Sequence, residues 1–319
     1  MEPARAPAVV LPTESRRASG SDGSRLLLVD GHAYAYRAFH AIRSLSSPSG
    51  KPTNAIFGFI RMLGTMRAAT SPTHLAVVWD GGLAAERVAQ HPEYKADRPP
   101  MPLDLDAQLN GIADYLDAAR IPSLCRPGVE ADDWIATLTV QAERSDCGVV
   151  IASSDKDFMQ LVNSRVGLLN PNDKTESIWT DAEVRAKAGV EPRQIVDYLS
   201  LLGDTVDNIP GVPGVGAKTA ADLLLRFGSL ENLYARLPEV SSERIRAKLA
   251  ESRAIVKKNQ ELIRLREDIP GEFQLAGYRV ASPDAPRLLE LFSHWGFRTL
   301  RQELEQSLVA QGELFGSLA

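Results

Sequence analysis

Three short apolar runs along the chain each end in acid. Leu26-Leu27-Leu28-Val29 runs into Asp30-Gly31, Leu75-Ala76-Val77-Val78-Trp79 into Asp80-Gly81, and Val149-Val150-Ile151-Ala152 into Ser153-Ser154-Asp155-Lys156-Asp157. Unbroken apolar runs of this length read as strands buried on both faces, the habit of a parallel sheet. Residues 33–41 and 54–69 read as helices, as does 104–119, which carries Leu105, Leu109, Ile112, Tyr115 and Leu116 on one side. Another helix opens at Gly128–Ala136, and residues 121–126, 166–170 and 177–179 are further strand candidates. Strands alternating with helices predict an α/β domain with a mainly parallel sheet and right-handed connections. Sites in such sheets form at the carboxyl ends of strands, where these acids fall.

Two stretches break the pattern. Residues 82–102 contain Arg87, His91, Tyr94, Lys95 and Arg98 with four prolines and little apolar periodicity. They read either as a surface loop or as a strand-gripping segment, with an aromatic for base stacking and cations for phosphate. From about Thr180 the chain turns helical and reaches Gly203–Ala220, GDTVDNIPGVPGVGAKTA. Asp204 and Asp207 stand at i, i+3, near enough to share a cation. The glycines that follow open into a helix beginning near Lys218, and a Gly-rich turn before a helix leaves backbone N–H groups for a phosphate. An ordinary loop and cap is the plain alternative.

Nine acids thus lie at strand ends or turns: Asp30, Asp80, Glu130, Asp132, Asp133, Asp155, Asp157, Asp204 and Asp207. Three of them in one first turn also favour the helix dipole. The five histidines form no metal-spaced pair, and Cys125 and Cys147 are the two cysteines. An all-oxygen set selects hard cations, Mg²⁺ or Mn²⁺ rather than Zn²⁺. Carboxylates so clustered need cations, because mutual repulsion raises their pKa values. Enough ligands for two ions points to phosphodiester hydrolysis. The net charge of −5 opposes nucleic-acid binding taken as a sum, but setting the nine aside leaves 32 acids against 36 bases. Basic surfaces therefore remain for phosphate, among them the Lys- and Arg-rich residues 226–258. Two cysteines give no disulfide framework, and a reducing cytoplasm is expected. No apolar run approaches the ~20 residues of a membrane span.

The motifs LLLVDGHAYAYRAFHA, PTNAIFGF, YKADRPPMP, GVEADDWIA, SSDKDFMQL and GDTVDNIPGVPGVGAKTA together resemble the 5′-nuclease (flap endonuclease) family, in the form found at the N-terminus of bacterial DNA polymerase I. The resemblance runs from about Arg25 to Leu304. It implies a PIN-like, mainly parallel sheet with helices on both faces, plus a helical helix–three-turn–helix subdomain. It implies a first metal on Asp30, Asp80, Glu130 and Asp132, and a second on Asp155, Asp157 and Asp207. Asp133 and Asp204 would be adjacent or act through water. Tyr94, Lys95 and Arg98 match the family's arch motif and, with Arg37, would steer the 5′ strand and meet the scissile phosphate. Arg87 matches an arginine ahead of that motif, although its surroundings (AAERVAQHPE) depart from the family's pattern. Gly211, Gly214, Gly216, Lys218 and Thr219 resemble the turn that grips duplex phosphate, with a K⁺ held by backbone carbonyls. The implied activity is cleavage of DNA at 5′ flaps and 5′ ends, in primer removal and repair, by a monomer.

The expected organisation is a disordered tail over 1–24, a nuclease core over 25–185 with an arch near 82–102, a DNA-binding subdomain over 186–305, and a tail over 306–319. No polymerase segment follows, so a stand-alone nuclease or a fragment is expected. Gln311, Leu314 and Phe315, in QGELF, resemble the short peptide by which bacterial proteins dock on the sliding clamp; the end of a terminal helix is the plain alternative. Two competing functions are a PIN-type ribonuclease for single-stranded RNA and a DNA-junction binder without catalysis. The turn at 211–218, which needs a duplex, weighs against the first. The full acidic set weighs against the second, since unneutralised carboxylates repel DNA.

Overall fold

The computed structural model describes residues 23–171 and 177–316, with side chains as far as residue 310 in the last helix. The expected N-terminal tail, apart from residues 23 and 24, lies outside the described residues, as do the side chains of Gln311, Leu314 and Phe315.

Strands β1 (Arg25–Asp30), β2 (His74–Trp79), β3 (Ser123–Cys125), β4 (Gly148–Ala152), β5 (Val166–Leu169) and β6 (Ile178–Trp179) form one sheet in the order β3-β2-β1-β4-β5-β6. All pairs are parallel except β5 with β6. Successive side chains of β1 leave on opposite faces. Leu26 and Leu28 enter one apolar core with α5 (Ala131–Arg144), while Leu27 and Val29 enter another with α1 (Gly31–Ala41), α2 (Asn54–Thr70) and α4 (Leu103–Ala118). Both faces are therefore covered, which explains the unbroken apolar runs. Strand order reverses between β1 and β4, so Asp30 and the residues after Ala152 flank the switch point.

Tight passages fix the turn after β2. A Cβ on Gly81 would lie 1.7 Å from the carbonyl oxygen of Arg126. Only glycine lets the chain pass there, and this approach brings Asp80 to the start of α5.

The segment over 82–102 is more ordered than its sequence indicates. It forms α3 (Ala85–Gln90) and then a series of turns, and it buries Arg87, His91, Tyr94 and Lys95. Apolar periodicity is missing because burial here is achieved by pairing charges, not by an apolar stripe.

The second half is helical: α6 (Asp181–Ala188), α7 (Ile195–Leu202), α8 (Ala217–Phe227), α9 (Leu230–Ala235), α10 (Glu243–Glu251) and α11 (Arg253–Ile263). Helix α7 packs on α8 and α11. Between α7 and α8 sits a two-stranded hairpin, β7 (Gly203–Asp204) and β8 (Ile209–Pro210). Its entry is tight: Gly203 has φ 74°, and a Cβ on Gly211 would fall 2.0 Å from the Leu202 carbonyl oxygen. Asn259 on α11 holds the hairpin from the other side, its Nδ2 donating to the carbonyls of Ser200 (3.0 Å) and Pro210 (2.7 Å). Helices α12 (Ala285–Trp295) and α13 (Arg298–Gly316) return to the first half, where Leu288, Phe292, Trp295 and Leu300 join the core of α2 and α4. Among the described residues no helix is long and apolar enough to cross a membrane.

Candidate active site

Eight of the nine predicted acids lie around one region at the carboxyl end of the sheet, and hydrogen-bond donors fix most of them. Asp30 caps α1: its Oδ1 accepts from the Ala33 amide at 3.0 Å and its Oδ2 from the Ser153 hydroxyl at 2.9 Å. Asp80 accepts from the Ala131 amide at 2.8 Å, at the N-terminus of α5, and lies 3.4 Å from His32 Nδ1. Asp155 caps the short 3₁₀ turn Lys156–Leu161 by accepting from the Asp157 amide at 2.9 Å. Three turns thus direct their amide-rich N-termini at the cluster, a fixed partial positive charge facing the acids.

The remaining balance comes from cations. Glu130 is nearly fully buried and accepts from the Ala84 amide, Arg87, the Tyr94 hydroxyl and the Lys95 ammonium. Lys95 also reaches within 3.9 Å of Asp207, which binds Arg98 at 2.7 Å. Lys156 pairs with Asp204 at 3.0 Å. Lysine at 95 is buried, which by itself favours a neutral amine; the carboxylates around it, Asp132, Glu130 and Asp207, outweigh that and hold it charged.

Where burial and neighbouring acids outweigh the cations, the carboxyl groups resist ionisation. Burial, with help from Asp80 and Asp155, pushes Asp30 up to about 6. Asp132 is raised well above the carboxylate range by burial and by Asp155 and Asp30. Burial raises Asp157 likewise, with Asp155 and Asp204 adding to it. At Asp80 burial acts upward, but bonds from His32 and Ala131 prevail and lower it. At Glu130 burial is outweighed by Lys95 and Arg87.

These groups fit a hard divalent cation on their own chemistry. Asp157 Oδ1 is buried with no hydrogen-bond partner, and Asp132 and Asp157 face other acids. Buried polar atoms left without partners call for one, and oxygen-only donors specify its type. Among the described residues no three ligand-type side chains are already drawn together around a common point. Glu130, Asp204 and Asp207 are each paired with a side-chain cation.

Two predicted roles need correction. Asp133 does not face the cluster. Its two oxygens bind Arg87 at 2.7 Å each, and its Oδ1 also accepts from the Arg266 amide at 2.9 Å. Adjacent residues on a helix point about 100° apart, so Asp132 and Asp133 diverge. Arg87, expected to touch DNA, is buried. It binds Asp133, Glu130 and the carbonyls of Leu262 and Arg264, joining α3, α5 and the end of α11. Acceptors at the start of α5 and at the end of α11 make this arginine an internal bracket.

Of the other predicted contacts, Arg37, Arg98 and the turn at 214–218 are at the surface. Arg37 is exposed and donates to the Pro171 carbonyl, and Arg98 is about half exposed. Tyr94 is buried, its ring against the Lys95 ammonium, so it offers no free face for stacking in this arrangement. Gly214 (φ 83°) and Gly216 shape an exposed turn, and Gly216 caps α8 without a side-chain bond. The first amides of α8, beside exposed Lys218, are therefore left for an outside acceptor. His32, Ser153, Lys156 and Asn208 also belong to the site. Their only sequence signal is adjacency to the acids, which does not say where a side chain points.

Comparison with known proteins agrees along most of the chain. Residues 25–189 match the family model described as 5′-3′ exonuclease, N-terminal resolvase-like domain, and residues 190–286 match 5′-3′ exonuclease, C-terminal SAM fold. The chain is 37% identical over 281 residues to a 5′-3′ exonuclease of Aquifex aeolicus, covering 88% of this chain and 95% of that one. It is 37% identical over 287 residues to DNA polymerase I of Bacillus caldotenax, covering 88% of this chain but 32% of the relative. The chain thus spans about a third of the polymerases it matches. Among solved structures, the bacteriophage T5 D15 flap endonuclease, a pseudo-enzyme-product complex with DNA and metal ions, aligns at TM-score 0.63 and 20% identity, over 91% of this chain and 99% of that one. At that identity the likeness is one of fold.

Two outcomes follow from the charges. Replacing Arg87 by Ala strands Asp133 and Glu130 and should destabilise the protein by about 3–5 kcal/mol in urea unfolding. A loss below about 1 kcal/mol would contradict the bracket. For pH, Asp30 is raised in the fold, so its contribution is complete below the ordinary value of 3.8 and lost as pH rises to about 6. Without divalent metal, Asp30→Asn should therefore gain stability relative to wild type as pH rises across that window. A difference that stays constant would refute the assignment.

Proposed function

The chain belongs to the 5′-3′ exonuclease family, and from that premise we propose that it hydrolyses DNA phosphodiester bonds at 5′ flaps and 5′ ends, in primer removal and repair. The observation that carries this reading is the crowd of buried carboxylates with one oxygen of Asp157 unpartnered, at the end of the sheet where a ligand would enter.

Asp30, Asp80, Glu130 and Asp132 would hold one Mg²⁺ or Mn²⁺, and Asp155, Asp157 and Asp207, with Asp204 beside them, a second. Bound there, two such ions lower the pKa of an attacking water and neutralise charge on the phosphate and the leaving oxygen. The chain's own groups do the rest. Lys95 would exchange Glu130 for the scissile phosphate, one anion for another, and Arg98 would do the same from Asp207. Both cations are ones that the acids already keep charged. Arg37 would guide the 5′ strand. The turn at 211–216 and the N-terminus of α8 would take the duplex backbone through amides and Lys218, with a K⁺ on the turn's carbonyls. Phosphate contacts of this kind fix register without reading sequence.

A second proposed partner is the bacterial sliding clamp, through Gln311, Leu314 and Phe315. Those residues fall at the end of α13, so docking in an extended form would require its last turns to unwind. Such terminal turns fray at low cost.

The test of the activity uses a duplex with a 5′-labelled flap, in Mg²⁺, in EDTA, and with Asp155→Ala. Mg²⁺-dependent cleavage near the junction, lost in the other two conditions, is expected. Tight flap binding without cleavage in Mg²⁺ or Mn²⁺ would replace it with a junction-binding role, and preference for single-stranded RNA with a ribonuclease. For the clamp, deleting residues 311–319 should spare cleavage of free flaps and abolish clamp stimulation; unchanged clamp binding after the deletion would rule out the peptide.

A further inference from the structure

Residues 91–98 cross the acidic cluster, and two neighbouring residues of the β7–β8 hairpin loop, Asp207 and Asn208, bond to them there. Asn208 Nδ2 donates to the Glu93 carbonyl at 2.9 Å and to Asp97 Oδ2 at 3.1 Å. The Asn208 carbonyl accepts from His91 Nε2 at 2.8 Å, while His91 Nδ1 meets the Lys258 ammonium at 3.2 Å. Since an ammonium only donates, Nδ1 must accept, and the imidazole proton sits on Nε2, facing Asn208. The adjacent Asp207 carbonyl accepts from the Lys95 amide at 3.3 Å.

Both partners are in the left-handed backbone region, Asn208 at φ 59° and Lys95 at φ 54°. Asparagine adopts it readily, and its carbonyl and amide here both engage 91–98. Lysine does not, and Lys95 also carries a buried charge. A backbone of that kind persists only where its surroundings over-determine it. The bonds from residues 207 and 208 do so. The hairpin can bear this load because Asn259 ties it to α7 and α11.

We propose that Asn208 is the positioning residue that seats segment 91–98 over the carboxylates and so places Lys95 for the reaction. The proposal rests on the nuclease reading for the role of Lys95, but the seating itself does not. The distinction guides the test.

Asn208→Gly keeps the left-handed backbone and the carbonyl facing His91, and removes only the bonds to Glu93 and Asp97. In the full-length protein, kcat on a 5′-flap substrate should fall about tenfold to a hundredfold, with KM changed by less than about threefold. Combining it with Lys95→Ala should add little to the loss from Lys95→Ala alone, because both act through one group. A readout independent of activity is trypsin. Within 91–98 its one cleavable bond is Lys95–Ala96, since Arg98 precedes Pro99. Cleavage there should be about tenfold faster or more in Asn208→Gly than in wild type, with other sites unchanged. Asn208→Asp guards against a general effect of glycine. It keeps size and backbone tolerance, yet has no N–H to donate and faces Asp97 with a like charge, so it should behave as Asn208→Gly does.

Wild-type protection at Lys95 in either variant would overturn the proposal. So would faster cleavage with unchanged kcat, or losses that add in full with Lys95→Ala. A wild-type protein that cleaves no flap would refute the proposed activity instead, and the tryptic ratio would still decide the seating.

Discussion

Like charges crowded out of water are the constraint that the centre of this protein answers to. Two carboxylates 4 Å apart repel by about 4 kcal/mol at the effective dielectric of a protein surface, and by more where water is excluded. Eight acids around one region cannot all ionise against that without compensation. The structure supplies it in three ways: amide-rich turn ends, side-chain cations, and carboxyl groups that hold their protons. Asp30, Asp132 and Asp157 show the third, where the first two fall short.

The fold makes the compensation geometrically possible. In a parallel sheet every strand ends on the same edge, and the chain turns there into a helix. Asp30 therefore stands at once at the end of β1 and at the cap of α1, and Asp155 does the same after β4. Asp80 reaches the start of α5 because Gly81 lets two backbones touch. One architectural feature thus gathers the acids and aims helix N-termini at them.

Side-chain cations divide into two kinds by whether they tie elements of the fold together. Arg87 spans α3, α5 and the end of α11 with all its bonds inside, and removing it would leave charges that nothing else reaches. Lys95, Lys156 and Arg98 come from segments bordering the site and pair with acids of the cluster. Cations of this second kind can exchange a carboxylate for a phosphate without dismantling the core. That difference separates scaffold from chemistry better than residue type does.

Much of this was legible along the chain. The apolar runs and their terminal acids placed the central strands, their parallel habit and half of the cluster, and the acid-bearing turns at 130–132 and 204–207 supplied the other half, because strand burial and turn chemistry are local properties. Family motifs added the expected metal sets and the arch. Tertiary structure alone decided which way the ambiguous side chains face. Asp132 and Asp133 are neighbours in sequence, yet only the roll of α5 against the sheet sends one to the cluster and the other to Arg87. Segment 82–102 had no apolar stripe to betray its burial, since ion pairs and hydrogen bonds hold it. Arg87 finds Leu262 across 175 positions and Asn208 finds Glu93 across 115. Pairings that distant leave no periodic trace, because charge satisfaction constrains where two groups meet in space and not how far apart they lie in the chain.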